Sequence, residues 1–527
     1  METTNNSWIH ATCHWLQLAS SETQAEVIAG AIANAPNHEI EMLLEVLVAN
    51  FDQLSASPQR FRMLMQLVAA RWLEEHRRAA QPETAQDLAE DTHVSPIDPA
   101  SLTQLYELLG ELDSAAAAHV LQMLAAQGDE ESIDMLAALL REAPPQDWKQ
   151  VALGLSPLWS SSAQQLELFF DRLQDGSLQP STMSVLLDLA GHAVREGKLK
   201  EHPWSERDQA LTSLLTQVVA RLRSLEREPA KFGSDVQEVQ RVLNDSVALT
   251  ISLCDALGLI GHQGAEASLL QALELSHRRI HAEAAGALAR IGNTAGKERL
   301  IELANDPVAR LRAVRYADEL GFAEEIDETL RLPAALAESE FVAWLASVEQ
   351  FGVAPSQLEL VDVRSQYWPS YDEPRDCYLF RYQYQLPGGL LTNIGITGPV
   401  THAFQADLTS LPTEDIYAAF AGWQAEHEDI YEVPLSLLNS AQRREADRLL
   451  AHLEDHQLEL IEALALTFFL GELAILAVVE RSGRRGAAIT DGLELLYQPI
   501  SDNPTSLTPE LLLAVYRGRK ILRTFNL

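Results

Sequence analysis

The stretches Leu249–Gly261, LTISLCDALGLIG, and Ile280–Gly292, IHAEAAGALARIG, lie over one another at an offset of 31 residues. The register survives past each glycine, because Leu269-Leu270 falls on Leu300-Ile301 at the same offset. A third copy, Ala309–Gly321 (ARLRAVRYADELG), ends 29 residues after Gly292. Each unit therefore reads as a helix that stops on a glycine, a turn, and a shorter second helix such as Ala265–Leu275 or Lys297–Ala304. Glycine at that end suits a left-handed C-cap, and Ala284, Ala287 and Ala313 let neighbouring helices approach closely. One such hairpin cannot bury its own apolar face, so the units must stack.

The same rhythm of short amphipathic helices runs from Ser101 to about Leu330, and Gln127–Arg141 (QGDEESIDMLAALLR) repeats the turn-plus-helix portion. Upstream, Glu22 to Ala80 holds three helical patterns with turns near Pro36-Asn37 and Ser55–Pro58. In the third, Phe61, Met65, Leu67, Val68 and Trp72 form a stripe. Between them, Gln81–Pro99 has little periodicity and reads as a linker or long loop. The repeated units resemble HEAT repeats, specifically the short bacterial type also found in phycobilin lyases, most clearly over residues 249–326. Asp306-Pro307-Val308, Arg312 and Leu320-Gly321 look like that family's inter-hairpin turn and second-unit helix. The resemblance implies an α-solenoid that binds proteins; its lyase members supply the alternative of an enzyme or cofactor-handling chaperone.

A different module follows an amphipathic helix around Glu338–Gln350. In Cys377–Leu386, Tyr378, Phe380, Tyr382 and Tyr384 share one face of a predicted strand. Pro387-Gly388-Gly389 supplies a hairpin turn to Leu390–Thr397, and Leu358–Val363 adds a third strand. Pro412–His427 and Ser440–Val479 read as helices. The apolar run Ala463–Val479 is expected to be a buried helix and not a membrane span, since Glu472 interrupts it.

Composition narrows the function classes. Hydrophobic residues at 47% and charged residues at 22% are ordinary globular values, so the chain is expected to fold over most of its length. Seventy-six acids against 39 bases give a formal net charge of −37, which disfavours nucleic acid and anionic membranes as partners. Cys13, Cys254 and Cys377 are too few and too dispersed for a disulfide framework, and Met1–Ser20 lacks the features of a signal peptide; both fit a reducing, cytoplasmic setting.

Candidate chemistry is sparse. His10, Cys13 and His14 have spacing that could supply two metal ligands, short of the three or four a transition-metal site needs, and no second Cys/His cluster completes a site. The adjacent His-Glu pairs that hold iron in deoxyhypusine hydroxylase, a HEAT-like enzyme, do not recur here: His281 and Glu283 are spaced by Ala282, their equivalents at the 31-residue offset are Thr250 and Ser252, and His38-Glu39 stands alone. HEAT-like DNA glycosylases need a basic surface, whereas the repeat arginines here alternate with acids. No phosphate loop or nucleophile elbow is present. No catalytic residue, metal or cofactor is assigned. What remains are binding candidates: Arg279, Arg312 and Arg315 on the repeats; Tyr367, Trp368, Tyr371, Tyr382 and Tyr384 in the strand module, since tyrosine and tryptophan are common interface anchors; and Arg519 and Lys520 near the end. The last of these lie in the one basic stretch, residues 481–527, with seven Arg or Lys against four acids.

The expected fold is mostly α. Residues 1–80 form an N-terminal helical region, 81–99 a linker, 100–330 the HEAT-like repeats, 331–430 an α+β module with a small antiparallel sheet, and 431–527 a helical C-terminal region. The expected function is a non-catalytic scaffold or adaptor for protein partners, with nucleic-acid binding as the third reading.

Overall fold

A computed structural model of the chain describes residues 7–17, 22–80, 97–173, 178–232, 235–347, 349–387, 389–425, 431–433, 435–501, 503 and 505–526. Two compact units divide it, Met1–Leu300 and Ile301–Leu527. Among the described residues the first contains helices and their turns but no strand. Its helices are α1 (Ser7–Gln17), α2 (Glu22–Asn34), α3 (Asn37–Ala49), α4 (Phe51–Leu54), α5 (Pro58–Ala80), α6 (Pro99–Leu112), α7 (Ser114–Gln127) and α8 (Glu130–Glu142). They continue with α9 (Trp148–Gly154), α10 (Ala163–Leu173), α11 (Pro180–Arg195), α12 (Asp208–Arg227), α13 (Val236–Ile260), α14 (Glu266–Ala272), α15 (Arg278–Arg290) and α16 (Thr294–Leu303), the last crossing the division.

These helices form two layers. In one, α5, α7, α9, α11, α13 and α15 are successive neighbours; in the other, α3, α6, α8 and α10 follow one another, and α12 adjoins α14. Each hairpin thus buries its apolar face against the next, as an α-solenoid requires, in one continuous core that includes Phe61, Met65, Val68 and Trp72. Aspartate starts many of the helices: the side chains of Asp98, Asp113, Asp129, Asp147 and Asp235 accept backbone N–H bonds at the N-caps of α6, α7, α8, α9 and α13. Glycine ends the repeated ones. Gly261 and Gly292 have φ of 75° and 88°, and each is followed by a bond that closes a Schellman motif, His262 N–H to Leu257 O and Asn293 N–H to Leu288 O. One helix, α13, is long and apolar enough to cross a membrane, but most of its apolar window is buried among α11, α12 and α15.

The second unit opens with helices α17 (Pro307–Glu319) and α18 (Glu328–Arg331). Asp306 caps α17 with Pro307 in its first turn, and the third repeat ends at Gly321 with φ of 77° and the Phe322 N–H to Ala317 O bond. Then come α19 (Pro333–Leu345), strands β1 (Gln357–Gln366), β2 (Arg375–Leu386), β3 (Gly389–Thr397) and β4 (His402–Ala403), and α20 (Thr413–Ala425). After β5 (Tyr431–Val433) follow α21 (Ser440–Asp455), β6 (Glu459–Phe469), β7 (Glu472–Arg481), β8 (Arg484–Thr490), β9 (Leu495–Pro499) and α22 (Pro509–Phe525). Both sheets are antiparallel meanders, ordered β1-β2-β3-β4 and β5-β6-β7-β8-β9.

The order helix, four strands, helix therefore occurs twice. In both copies two residues join the second strand to the third, four join the third to the fourth, and nine precede the last helix. Each sheet has a helix on either face. In the first copy Ala337, Phe341 and Leu345 of α19 cover Tyr378, Phe380, Tyr382 and Tyr384, while Ile416, Tyr417 and Phe420 of α20 cover Cys377, Leu379, Ile394 and Ile396. In the second, Leu449 and Leu453 of α21 cover Ile475, Ala477 and Val479, while Leu512, Leu513 and Tyr516 of α22 cover Ala474, Leu476, Ala487 and Ile489. The closing helices cross each other reciprocally: a Cβ on Gly422 would collide with the carbonyl oxygen of Ala514, and a Cβ on Gly518 with that of Ala418. An offset of 96 residues superimposes Glu414, Ile416, Ala418, Phe420 and Gly422 on Glu510, Leu512, Ala514, Tyr516 and Gly518.

Two expectations are corrected by this second copy. The run Ala463–Val479 is not a helix but most of the β6–β7 hairpin, turning at Leu470-Gly471, and the C-terminal region read as helical holds a five-stranded sheet. In β7 every residue from Ala474 to Val479 is apolar and buried, so the alternation that marks a strand in sequence is lost, whereas Arg381 and Gln383 keep it in β2. The sheet expected near residues 357–405 is β1–β4, including the third strand. The residues read as a linker lie outside the described ones up to 96, as does Gly388 of the turn between β2 and β3.

Candidate functional site

The first unit carries an open cleft of about 750 Å³, a size typical of ligand sites. The loop between α8 and α9 supplies Pro144, Pro145 and Gln146; the start of α11 supplies Gln179, Pro180 and Ser181. Proline fixes φ and removes an N–H, so this rim is stiff and offers no backbone donor at three positions. The Ser181 hydroxyl donates to Pro145 O at 3.3 Å and ties the two rim segments together. Leu214 and Val218 of α12 and Val242 and Leu249 of α13 give apolar walls, with Arg221 and Arg241 beside them. A second cleft of about 700 Å³ shares Gln146, Arg241 and Asp245 with the first and continues past Trp148 to Val236, so the two form one trough along α13. Burial pushes the Asp245 carboxyl up, Arg241 and Arg221 pull it down, and Asp147 adds to the rise.

Polar groups link successive helices of the same layer. Arg195 on α11 pairs with Asp255 on α13, and Arg290 on α15 approaches the same carboxylate at 3.6 Å. Asp188, about two helical turns before Arg195, is exposed at its tip and stands among Ser252, Asp255, Glu283 and Arg279. Loss of hydration raises its carboxyl to about 6, against the pull of the Ser252 hydroxyl and with the repulsion of Asp255 and Glu283. Burial holds His202, beside this group, down to about 4, so it is neutral at physiological pH. Such a chain of paired charges fixes the register of stacked hairpins.

The thiols are not poised for chemistry. Burial raises Cys13, drives Cys254 well up and pushes Cys377 to about 12, the opposite of an activated nucleophile. Among the described residues, no three His, Cys, Asp or Glu side chains gather where they could hold a metal. Glu39, of the His38-Glu39 pair, instead accepts a hydrogen bond from Trp8 Nε1 at 2.7 Å.

The sequence-derived binding candidates disperse. Trp368, Tyr382 and Tyr384 are core residues, 3%, 2% and 4% exposed, which corrects their reading as a surface platform: α19 covers the tyrosine face of β2, and Tyr384 donates to Val353 O at 2.8 Å. Tyr371 is half-buried, its hydroxyl donating to Pro399 O at 2.9 Å and Arg375 lying over its ring. Tyr367 alone of the five is exposed. Arg519 pairs with Asp415 at 2.6 Å, and Lys520 with Glu472 and, at 2.7 Å, with Asp491. These two cations thus clamp α22 inside its own unit. Arg312 lies over the Tyr316 ring, its Nη2 donating to the hydroxyl at 3.2 Å; Arg279 in the first unit and Arg315 in the second are exposed.

Sequence reasoning missed the trough altogether. Its walls come from segments about a hundred residues apart, and Arg221 and Arg241 carry no motif; the proline pair at 144–145 was the one local sign of a stiff rim. No curated protein and no solved structure matches the chain. Residues 239–317, from α13 to α17, match the model of HEAT repeats, and that stretch includes the α13 wall of the trough.

Proposed function

We propose that the chain is a non-catalytic protein-binding scaffold whose helical stack carries the binding surface. The observation that supports this most directly is the trough along α13, an open and partly apolar channel on the segment that matches HEAT repeats. HEAT repeats commonly serve as protein-interaction scaffolds, because stacked hairpins present long continuous surfaces. The strongly acidic composition weighs against nucleic acid, and the raised thiols weigh against nucleophilic chemistry. Affinity purification of the full-length protein from its native host, with cross-links mapped by mass spectrometry, tests the reading. A stoichiometric partner cross-linked to the first unit is expected. A chain that carries a chromophore or metal with turnover, or that recovers no stoichiometric partner, would overturn it.

A further inference from the structure

The trough has a composition that selects among protein ligands. Arg221 and Arg241 are exposed on its wall, and neither forms an ion pair with a carboxylate among the described residues; Asp245 is the one lining acid that feels both. Several other arginines of the first unit are engaged, Arg62 with Asp113, Arg71 with Glu75, Arg172 with Glu130 and Asp134, Arg223 with Glu274, while Arg227 and Arg279 are exposed like Arg221 and Arg241 but line neither cleft. Two guanidinium groups left open beside the half-buried Leu214 and Val242 make a surface complementary to a ligand that is both anionic and apolar. Its length is also set. Val236 and Leu249, at opposite ends of the trough, are separated by 13 residues of α13, or about 20 Å of helix. About six residues of extended chain span that distance.

We propose that this trough docks an extended acidic segment of a partner protein, its carboxylates on Arg221 and Arg241 and its apolar side chains against the half-buried Leu214 and Val242. The occupant is a peptide and not a nucleic acid because the positive charge is local, two arginines and Lys149 in a chain of net charge −37, and the walls beside the arginines are aliphatic, with Trp148 the one aromatic residue in the lining. Val236, 80% exposed at the far end, gives a further apolar contact. This assignment rests on the scaffold reading and adds the chemistry of what is bound.

The test uses full-length protein and a fluorescein-labelled peptide of alternating glutamate and leucine, followed by anisotropy. Saturable binding is expected, weakening as salt is raised. Replacing every glutamate by glutamine should weaken it about tenfold or more, the worth of one to two charge-assisted hydrogen bonds. The R221E/R241E protein should lose a comparable factor while its melt stays cooperative, with a lower midpoint because Asp245 loses both cations; R221A/R241A, with no new charge, should lose less. Equal affinity for the glutamine peptide, equal affinity of R221E/R241E, or displacement of the peptide by an RNA oligonucleotide at equal charge would overturn the proposal. The two readings separate in the native host. A partner retained by R221E/R241E refutes acidic docking and leaves the scaffold intact; absence of any partner with wild-type protein refutes both.

Discussion

Two of the close helix–helix contacts in this molecule are built differently. In the stack, Gly258 of α13 faces α15, where a Cβ would stand 2.8 Å from the Ala287 Cα. The contact is one-sided, since α15 presents Ala287 there and not a second glycine. In the duplicated module, Gly422 and Gly518 each leave room for the other helix's carbonyl, and the pair α20 and α22 is held between two sheets. Neither helix can back away without opening a sheet face. A repeat array spreads a local fault along its length, whereas an internally duplicated module concentrates it at its pseudo-symmetry axis.

The sharpest way to break the comparison is valine at that axis. Gly518→Val places two methyl groups against the Ala418 backbone, and we expect a loss of ~4 kcal/mol or more, enough to unfold the second unit at room temperature. Gly258→Ala in the stack should cost about 1–2 kcal/mol. Urea denaturation followed by circular dichroism reads both, and equal losses would remove the distinction.

Charge gives the next largest effect. Asp255→Ala leaves Arg195 and Arg290 facing each other across α13 without their shared carboxylate, and a loss of about 3 kcal/mol is expected in the first unit. If chemical denaturation shows less than about 1 kcal/mol, the ladder between hairpins is ornamental and apolar stacking alone sets their register. A smaller effect belongs to the turns. Gly261→Ala forces a side chain into φ of 75° where nothing crowds it, so only backbone strain is added, about 1 kcal/mol by the same measurement.

The difference between the units also explains what could be read from residues alone. The stack repeats at 31 residues with glycine at each helix end and a Schellman turn behind it, so Gly261, Gly292 and Gly321 announce it. The module repeats at about 96 residues and keeps little more than Glu414, Ala418, Phe420 and Gly422 in its last helix. Its β7 is apolar and buried from Ala474 to Val479, and loses the alternation that would have marked it. For Tyr382 and Tyr384 the period-two pattern correctly placed both on one face; it carried no information on α19, which covers that face and takes them out of reach of a partner. The trough is the least legible feature, since its arginines differ from their neighbours only in what surrounds them.

The gentlest test of the comparison is titration, because the two units hold carboxylates shifted in opposite directions. Asp188 in the stack is raised from 3.8 to about 6 by loss of hydration. A folded-state value above the unfolded one means that the folded protein binds the proton more tightly, so the stabilisation is full below 3.8 and is lost as pH rises through 6. Asp491 in the module is the reverse. Burial alone would raise it, but the Lys520 ammonium, the Glu494 and Leu493 N–H groups and the Tyr516 hydroxyl together hold it well below the usual carboxylate range. Its contribution is present above about 3.8 and is lost as pH falls. Asp188→Asn should therefore flatten the decline in stability of the first unit between pH 4 and pH 7, and Asp491→Asn should flatten the acid-side loss of the second, with urea midpoints across that range as the readout. A wild-type first unit whose midpoint does not fall between pH 4 and pH 7 more steeply than that of Asp188→Asn would show that the hydration Asp188 loses is too little to hold its carboxyl above the ordinary value, and that the charge ladder beside it is solvated.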